Sequence, residues 1–201
     1  MFYKFFKILC RIWYGIFLRT KVIGAENIPA EGGFILASNH MANWDPPFLG
    51  TFSPRIVNFM GKEELFKNPI MAAICRGLHV FPVKRGAADK AAIKTAIKIL
   101  KSGECLGIFP EGTRSKTGKL GKAEPGVSLI AAMTKMPIIP AAIVNTDKIF
   151  SAEVKFPRLA VVYGTPIYFD GNAKDKEQLA NFAQSIMAEI AKLKTLGENS
   201  L

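Results

Sequence analysis

From Gly24 onward the chain keeps returning to short apolar runs closed off by Gly, Pro or charge, and the stretches between them carry helical spacing. "GGFILASN", "RIVNFMGK", "GLHVFPVKR", "CLGIFP", "PIIPAAIV" and "LAVVYGTPIYF" each read as a strand, being too short for helices and rich in β-branched and aromatic residues. In "ADKAAIKTAIKILKSG", Ile93, Ile97 and Leu100 share one helical face, Lys90, Lys94 and Lys98 share another, and Gly103 stands near the C-cap. "GVSLIAAMTK" predicts a further helix, and "KDKEQLANFAQSIMAEIAKLK" one that buries Leu179, Phe182, Ile186, Ile190 and Leu193. Strands taking turns with helices predict an α/β fold, a single mixed, mostly parallel sheet flanked by helices on both faces. No internal repeat or second boundary is visible, so residues 21–201 are expected to form one domain, with residues 1–20 as an N-terminal element.

Composition narrows the partners. The 201 residues are 49% hydrophobic and 21% charged, enough to bury a full core. A formal net charge of +11 favours polyanions: nucleic acid, an anionic membrane leaflet, phosphorylated substrates or an acidic carrier protein. No RNP, helix-turn-helix or zinc signature accompanies that charge, so nucleic acid is not the expected partner. Cys10, Cys75 and Cys105 are odd in number, widely spaced and set in apolar runs, which fits reduced thiols rather than disulfides. No Cys-x-x-Cys is present, and neither a metal nor a cofactor is expected.

The first residues, "MFYKFFKILCRIWYGIFLRTK", hold basic and large apolar side chains but no acid. Lys4, Lys7 and Arg11 interrupt what a transmembrane helix would need, about 20 apolar residues. "LRTKVIGAENIP" offers no Ala-x-Ala site for signal cleavage. Wound as a helix, Lys4, Lys7 and Arg11 fall on one face while Phe2, Phe6, Leu9, Trp13 and Ile16 lie opposite. That pattern predicts an amphipathic helix lying on an anionic membrane surface; the alternative is a helix docked on the domain's own core.

The chemistry centres on "SNHMANWDPPF", residues 38–48. His40 follows a strand end, and Asp45 stands near the N-cap of a helix that opens with proline. Across such a turn the carboxylate can hydrogen-bond one ring nitrogen, fix the tautomer and leave the other nitrogen free. Taken alone, His-x-x-x-x-Asp is a weak signal. No Gly-x-Ser-x-Gly elbow supplies a nucleophile, since Ile130 stands where the second glycine belongs after Ser128. A His/Asp pair without a protein nucleophile suits a base that deprotonates a substrate hydroxyl. The only other histidine, His79, lies in an apolar run read as strand.

Cations gather at the other strand exits. "GIFPEGTRSKTGKLGKAEPG", residues 107–126, turns after a strand and presents Arg114, Lys116, Lys119 and Lys122 among glycines. Its glycine spacing and Leu120 do not fit a nucleotide P-loop. Two readings stay open, a phosphate clamp and a solvated basic loop. Lys62 in "GKEELF", and Lys84 and Arg85 in "HVFPVKRG", also stand at strand ends, where open α/β sheets bind ligands. The lysine stripe of residues 90–98 is first a solvated helix face, and secondly a contact for anionic lipid or an acidic carrier.

With these residues in view, the chain resembles the glycerolipid acyltransferase family, in particular its bacterial 1-acyl-glycerol-3-phosphate acyltransferases. "SNHMANWD" is similar to the family's Asn-His-x-x-x-x-Asp block, "FPVKRG" to its second, "FPEGTRS" to its third and "PIIPAAI" to its fourth; "GKEELF" resembles a lysine-containing run between the first two. The resemblance covers residues 20–170. It implies transfer of an acyl group from acyl carrier protein or coenzyme A to the sn-2 hydroxyl of lysophosphatidate, giving phosphatidate. It implies His40 as general base, Asp45 as its orienting partner, and Lys62, Arg85 and Arg114 as contacts for the acceptor's phosphate. Glu111 and Gly112 would shape the acceptor pocket, with Glu111 holding a glycerol hydroxyl, and Pro140 and its neighbours would line the site. Localisation at the cytoplasmic face of the cell membrane, peripheral or monotopic, goes with this reading. Glycerol 3-phosphate or another lysophospholipid as acceptor, and a non-catalytic binder of anionic lipid, are the alternatives.

Overall fold

Every side chain of β2 (Phe34–Ser38) is buried, and alternate ones feed opposite layers. Phe34 and Leu36 pack with Phe48, Leu49 and Tyr14 on one side; Ile35 and Ala37 pack with Leu100, Ile186 and Ile190 on the other. A strand buried on both faces must be central in a covered sheet. The computed structural model describes residues 2–84, 89–115, 117–152 and 154–201. Around β2 stand β1 (Lys21–Ile23), β3 (Val57–Lys62), β4 (Val80–Val83), β5 (Cys105–Ile108), β6 (Ile138–Val144) and β7 (Ala160–Tyr163), in the order β1-β7-β6-β2-β5-β3-β4. All neighbours run parallel except β6 and β7. The sheet is therefore mixed and mostly parallel, as its sequence pattern predicts.

The helices are α1 (Phe2–Ile12), α2 (Asp45–Phe52), α3 (Pro69–Gly77), α4 (Lys90–Lys101), α5 (Gly126–Thr134) and α6 (Lys176–Asn199). Residues of α2 join the first layer, and α4, α5 and α6 the second. Four successive strand–helix–strand units, β2 to β6, place the exits of these strands on one rim, and β5 slots between β2 and β3 while β6 flanks β2 on the other side.

Several details depart from the sequence pattern. β1 and α3 are additional elements. In α4 the buried line is Ala92, Ala96 and Leu100, with Ile93 and Ile97 only partly covered. Alanine lets this helix approach the sheet closely, which rotates the lysine face outward. His79 stands in the turn before β4 with φ +59° and meets Tyr3 edge-on at 5.2 Å, so it is not a strand residue. Part of the positive charge is structural: the Arg55 guanidinium lies 5.2 Å over the Phe34 ring and donates to the carbonyls of Pro29, Gly32 and Gly103.

α1 carries two faces beyond its cations. One docks on α2: Tyr14, on the π-helical turn Trp13–Phe17 that continues α1, is buried edge-on against Phe48. On the same side Lys7 Nζ donates to Ser53 O at 2.6 Å. Burial, then the neighbouring Arg11 charge, lowers the Lys7 pKa. Lys7 thus leaves the polar face predicted for it, and Phe6 is half-buried with it. The outward face, Phe5, Ile8, Leu9, Ile12 and Ile16, is exposed. Among the described residues no helix is long and apolar enough to cross a membrane.

The start of β2 is set against the end of α4 through Gly33, where an added Cβ would fall 2.0 Å from the Leu100 carbonyl oxygen. Backbone cannot yield as a side chain tip does. Gly33→Ala is expected to lower unfolding free energy by about 3 kcal/mol, overpacking of the kind that shifts main chain. A denaturant midpoint unchanged from the parent would contradict this packing.

Candidate active site

The rim where β2, β3, β5 and β6 exit carries the site. Beyond Ser38 the main chain leaves the β2–β6 ladder, and Asn39 supplies the next rung with its side chain: Nδ2 donates to Ile143 O at 3.0 Å and Oδ1 accepts from Ile143 N at 2.9 Å. His40 follows. Its N–H donates to Glu111 Oε1 at 3.0 Å, and its carbonyl accepts from Ser115 N at 2.8 Å. The imidazole stacks on Phe109, with centroids 4.1 Å apart and planes 18° apart, and Phe109 stacks in turn on Phe59 at 6.0 Å. Ring position is therefore fixed from below by packing and from the side by main-chain bonds.

Asp45 completes the pair. Its Oδ2 lies 2.7 Å from His40 Nδ1 and also accepts from the N–H groups of Met41 at 2.5 Å and Ala42 at 2.7 Å. An oxygen facing two backbone donors orients the carboxylate as acceptor toward the ring. Nδ1 then carries the hydrogen and Nε2 presents its lone pair. Asp45 is fully buried, it is the first residue of α2, and its other oxygen, Oδ1, has no partner among the described residues. The segment is non-helical because two of its N–H groups must turn back onto this one oxygen. The helix behind it opens with Trp44 at the cap and Pro46 in the first turn, one residue earlier than the spacing predicts.

Glu111 does something other than present an open carboxylate to a hydroxyl. It is buried, with Oε1 on His40 N–H and Oε2 on Gly121 N–H at 2.8 Å. The carboxylate thereby staples the loop after β5 to the turn after β2. Gly112, at φ +67°, makes the turn that returns the chain to Phe109 O. Arg114 crosses over the same turn, where Nη1 donates to Asn43 Oδ1 at 2.8 Å, and its side chain is exposed. Lys62 ends β3 in an exposed position. Lys84 lies 3.7 Å from Glu63 through its ammonium. Arg85 and Lys116 lie outside the described residues. Pro140 does not line the His40 side: in β6 it alternates with Ile139 and Ala141 and faces Gly164, whose added Cβ would fall 3.0 Å from Pro140 Cγ.

Asn39 and Phe109 lie inside the quoted blocks, but their roles there, the side-chain rung to Ile143 and the stack under His40, are not given by the motif. Burial pushes up the pKa of the thiols of Cys10, Cys75 and Cys105, which disfavours thiolate. An apolar cavity of about 130 Å³ lies between α1, α2 and the β3–β4 edge, lined by Tyr3, Pro47, Thr51, Phe59 and Val80 among others. Phe59 is both its wall and the base of the stack under His40.

This arrangement can take a proton from a hydroxyl at Nε2 and hold the resulting imidazolium against Asp45, beside an exposed guanidinium. Comparison with known proteins places it in context. The family model described as "Acyltransferase" matches residues 19–144. The 1-acyl-sn-glycerol-3-phosphate acyltransferase of Bacillus subtilis strain 168 is 35% identical over 178 residues, covering 87% of this chain and 87% of that protein. The protein of the same name from Pseudomonas aeruginosa is 29% identical over 194 residues, covering 91% of this chain and 74% of its own. The crystal structure of the 1-acyl-sn-glycerophosphate (LPA) acyltransferase PlsC from Thermotoga maritima superimposes with a TM-score of 0.71 at 26% identity, covering 95% of this chain and 78% of that one.

Proposed function

This chain belongs to the acyltransferase family, and from that membership and the His40 site we propose that it moves a fatty acyl group from a thioester to the sn-2 hydroxyl of lysophosphatidate. The observation that carries the reading is the His40–Asp45 pair, 2.7 Å apart, with Nε2 left free on a turn bound to Arg114.

In this reading His40 Nε2 takes the proton of the acceptor hydroxyl as its oxygen attacks the thioester carbonyl. Asp45 holds the ring in place and balances the imidazolium. The tetrahedral intermediate collapses, the C–S bond breaks, and the departing thiolate takes the proton back from His40, so that phosphatidate and free thiol leave. A thioester already carries a good leaving group, so orientation and a base suffice without a covalent enzyme intermediate. Arg114, Lys62 and Arg85 are the cations for the acceptor's phosphate, with Arg able to grip two oxygens at once. Glu111 and Gly112 shape the acceptor side by fixing the loop that carries Arg114. The cavity beside Phe59 offers an apolar slot for an acyl chain.

The donor is acyl carrier protein or acyl coenzyme A, both polyanionic and both matched by the charge of +11. The outward apolar face of α1, with Lys4 and Arg11 beside it, seats the protein peripherally on anionic lipid at the cytoplasmic face of the cell membrane. The test is release of free thiol from acyl coenzyme A or acyl carrier protein, with and without lysophosphatidate. Release is expected only with the acceptor present. Arg114→Ala is expected to raise the KM for lysophosphatidate about tenfold to a hundredfold, the worth of one charge-assisted contact, with a smaller change in kcat. An unchanged KM would remove Arg114 from the acceptor site, and absence of acceptor-dependent release would leave only a lipid binder.

A further inference from the structure

The outward face of α1 is joined to the catalytic turn by aromatic rings. Ile149 is anchored in the core, and the left-handed backbone of the next residue, Phe150 at φ +61°, turns that side chain outward to 68% exposure. There the Phe150 ring stacks on Trp13, with centroids 6.1 Å apart and planes 25° apart, and meets Trp44 edge-on at 5.4 Å. Trp44 is the cap of α2 and the residue directly before Asp45. A strip of rings thus runs from α1 to the turn that holds the acid–base pair.

Two costs meet at Phe150. A bulky residue in the left-handed region is strained, and a large ring left in water forgoes burial. Stability of the isolated fold explains neither. Phe156, on the same segment, is exposed too. Exposed Lys4, Arg11, Lys148 and Lys155 accompany these rings along the chain, outnumbering the nearby Asp147 and Glu153. Aromatics for the acyl boundary beside cations for phosphate match an anionic bilayer. A second copy of the chain docked on this face would bring like cations together across a two-fold contact.

We propose that Trp13, Phe150 and Trp44 form one lipid-docking surface for an anionic bilayer, which seats the His40–Asp45 turn itself at the acyl boundary. This rests on the membrane-surface reading given above and adds the segment around Phe150 and the catalytic turn to it.

Trp13 and Trp44 are the two tryptophans of the chain, so the full-length Trp13→Phe variant reports from Trp44 alone. With vesicles of phosphatidylglycerol and phosphatidylcholine, Trp44 emission is expected to shift to shorter wavelength and to be quenched when the acyl chains are brominated. Phe150→Gly removes the ring while relaxing the left-handed backbone, so a folding defect is not its expected effect; it should weaken vesicle partition about tenfold, and Phe150→Trp should retain it. Vesicle-bound protein with unquenched Trp44 overturns the proposal, as does undiminished partition of Phe150→Gly. A dimer in solution that shields Trp44 and dissociates on Phe150→Gly assigns the face to a second copy and overturns it too. Failure to bind vesicles at all sinks both this surface and the membrane-surface reading, whereas acyl transfer is judged separately, by thiol release with a short-chain lysophosphatidate free in solution.

Discussion

With His40 replaced by alanine, acceptor-dependent thiol release is expected to fall by about 10²–10⁴, the contribution of a positioned general base. The fold should survive, because what ties residue 40 into the molecule is main chain: its N–H on Glu111 and its carbonyl on Ser115 persist in the variant. Asp45 keeps two of its three donors, from Met41 and Ala42. What is lost is the packing of one buried ring stacked on Phe109. Rate and thermal unfolding measured on the same preparation separate the two effects. Turnover close to the parent's would dismiss the imidazole as the base.

Asp45→Asn is expected to approach the same loss in kcat, up to about 10⁴, the size of the effect when the orienting aspartate of a serine-protease triad becomes asparagine. The geometry says why asparagine is no quiet substitute. Its carboxamide oxygen must occupy the Oδ2 place, where donors arrive from Met41, Ala42 and His40. Its NH₂ then falls where Oδ1 now sits, buried and without a partner among the described residues. An unpaired buried donor costs about 1–3 kcal/mol, so the variant should also unfold at lower denaturant. A neutral amide cannot balance the imidazolium, so the loss belongs in kcat with little change in KM for the acceptor. A defect confined to KM would mean that Asp45 serves substrate binding rather than the ring.

Much of this is legible in the residues, and the gaps have physical causes. The six apolar runs are all strands; in β2, β6 and β7 burial on both faces leaves no room for polar alternation, while edge strand β4 is only partly covered. β1 gives no clear signal, being three residues, Lys21–Ile23, half exposed and paired only with β7. β7 is visible as a strand, but its reversal against β6 is a property of the intervening connection, not of "LAVVY". Period alone places Ile93 and Ile97 in the core; close approach of α4 gives that place to Ala92 and Ala96 instead. For α1 the amphipathic pattern is real, yet Lys7 turns inward because Ser53 at the end of α2 offers a carbonyl within reach. The His40–Asp45 contact can be argued from spacing across a turn. The use of Glu111 as a staple cannot, since a carboxylate in a glycine-rich loop looks identical whether it meets a ligand or a backbone N–H.

Asn39 has one more consequence. Where β2 ends, hydrogen bonding passes from main chain to an amide side chain, and the N–H of Ile143 deep in β6 depends on it. An interior peptide hydrogen is thus shielded from isotope exchange by a group belonging to the very loop that performs the chemistry. Seating that loop and sealing the middle of the molecule are a single event, so the imidazole inherits the stiffness of the scaffold instead of the wandering usual at a loop tip.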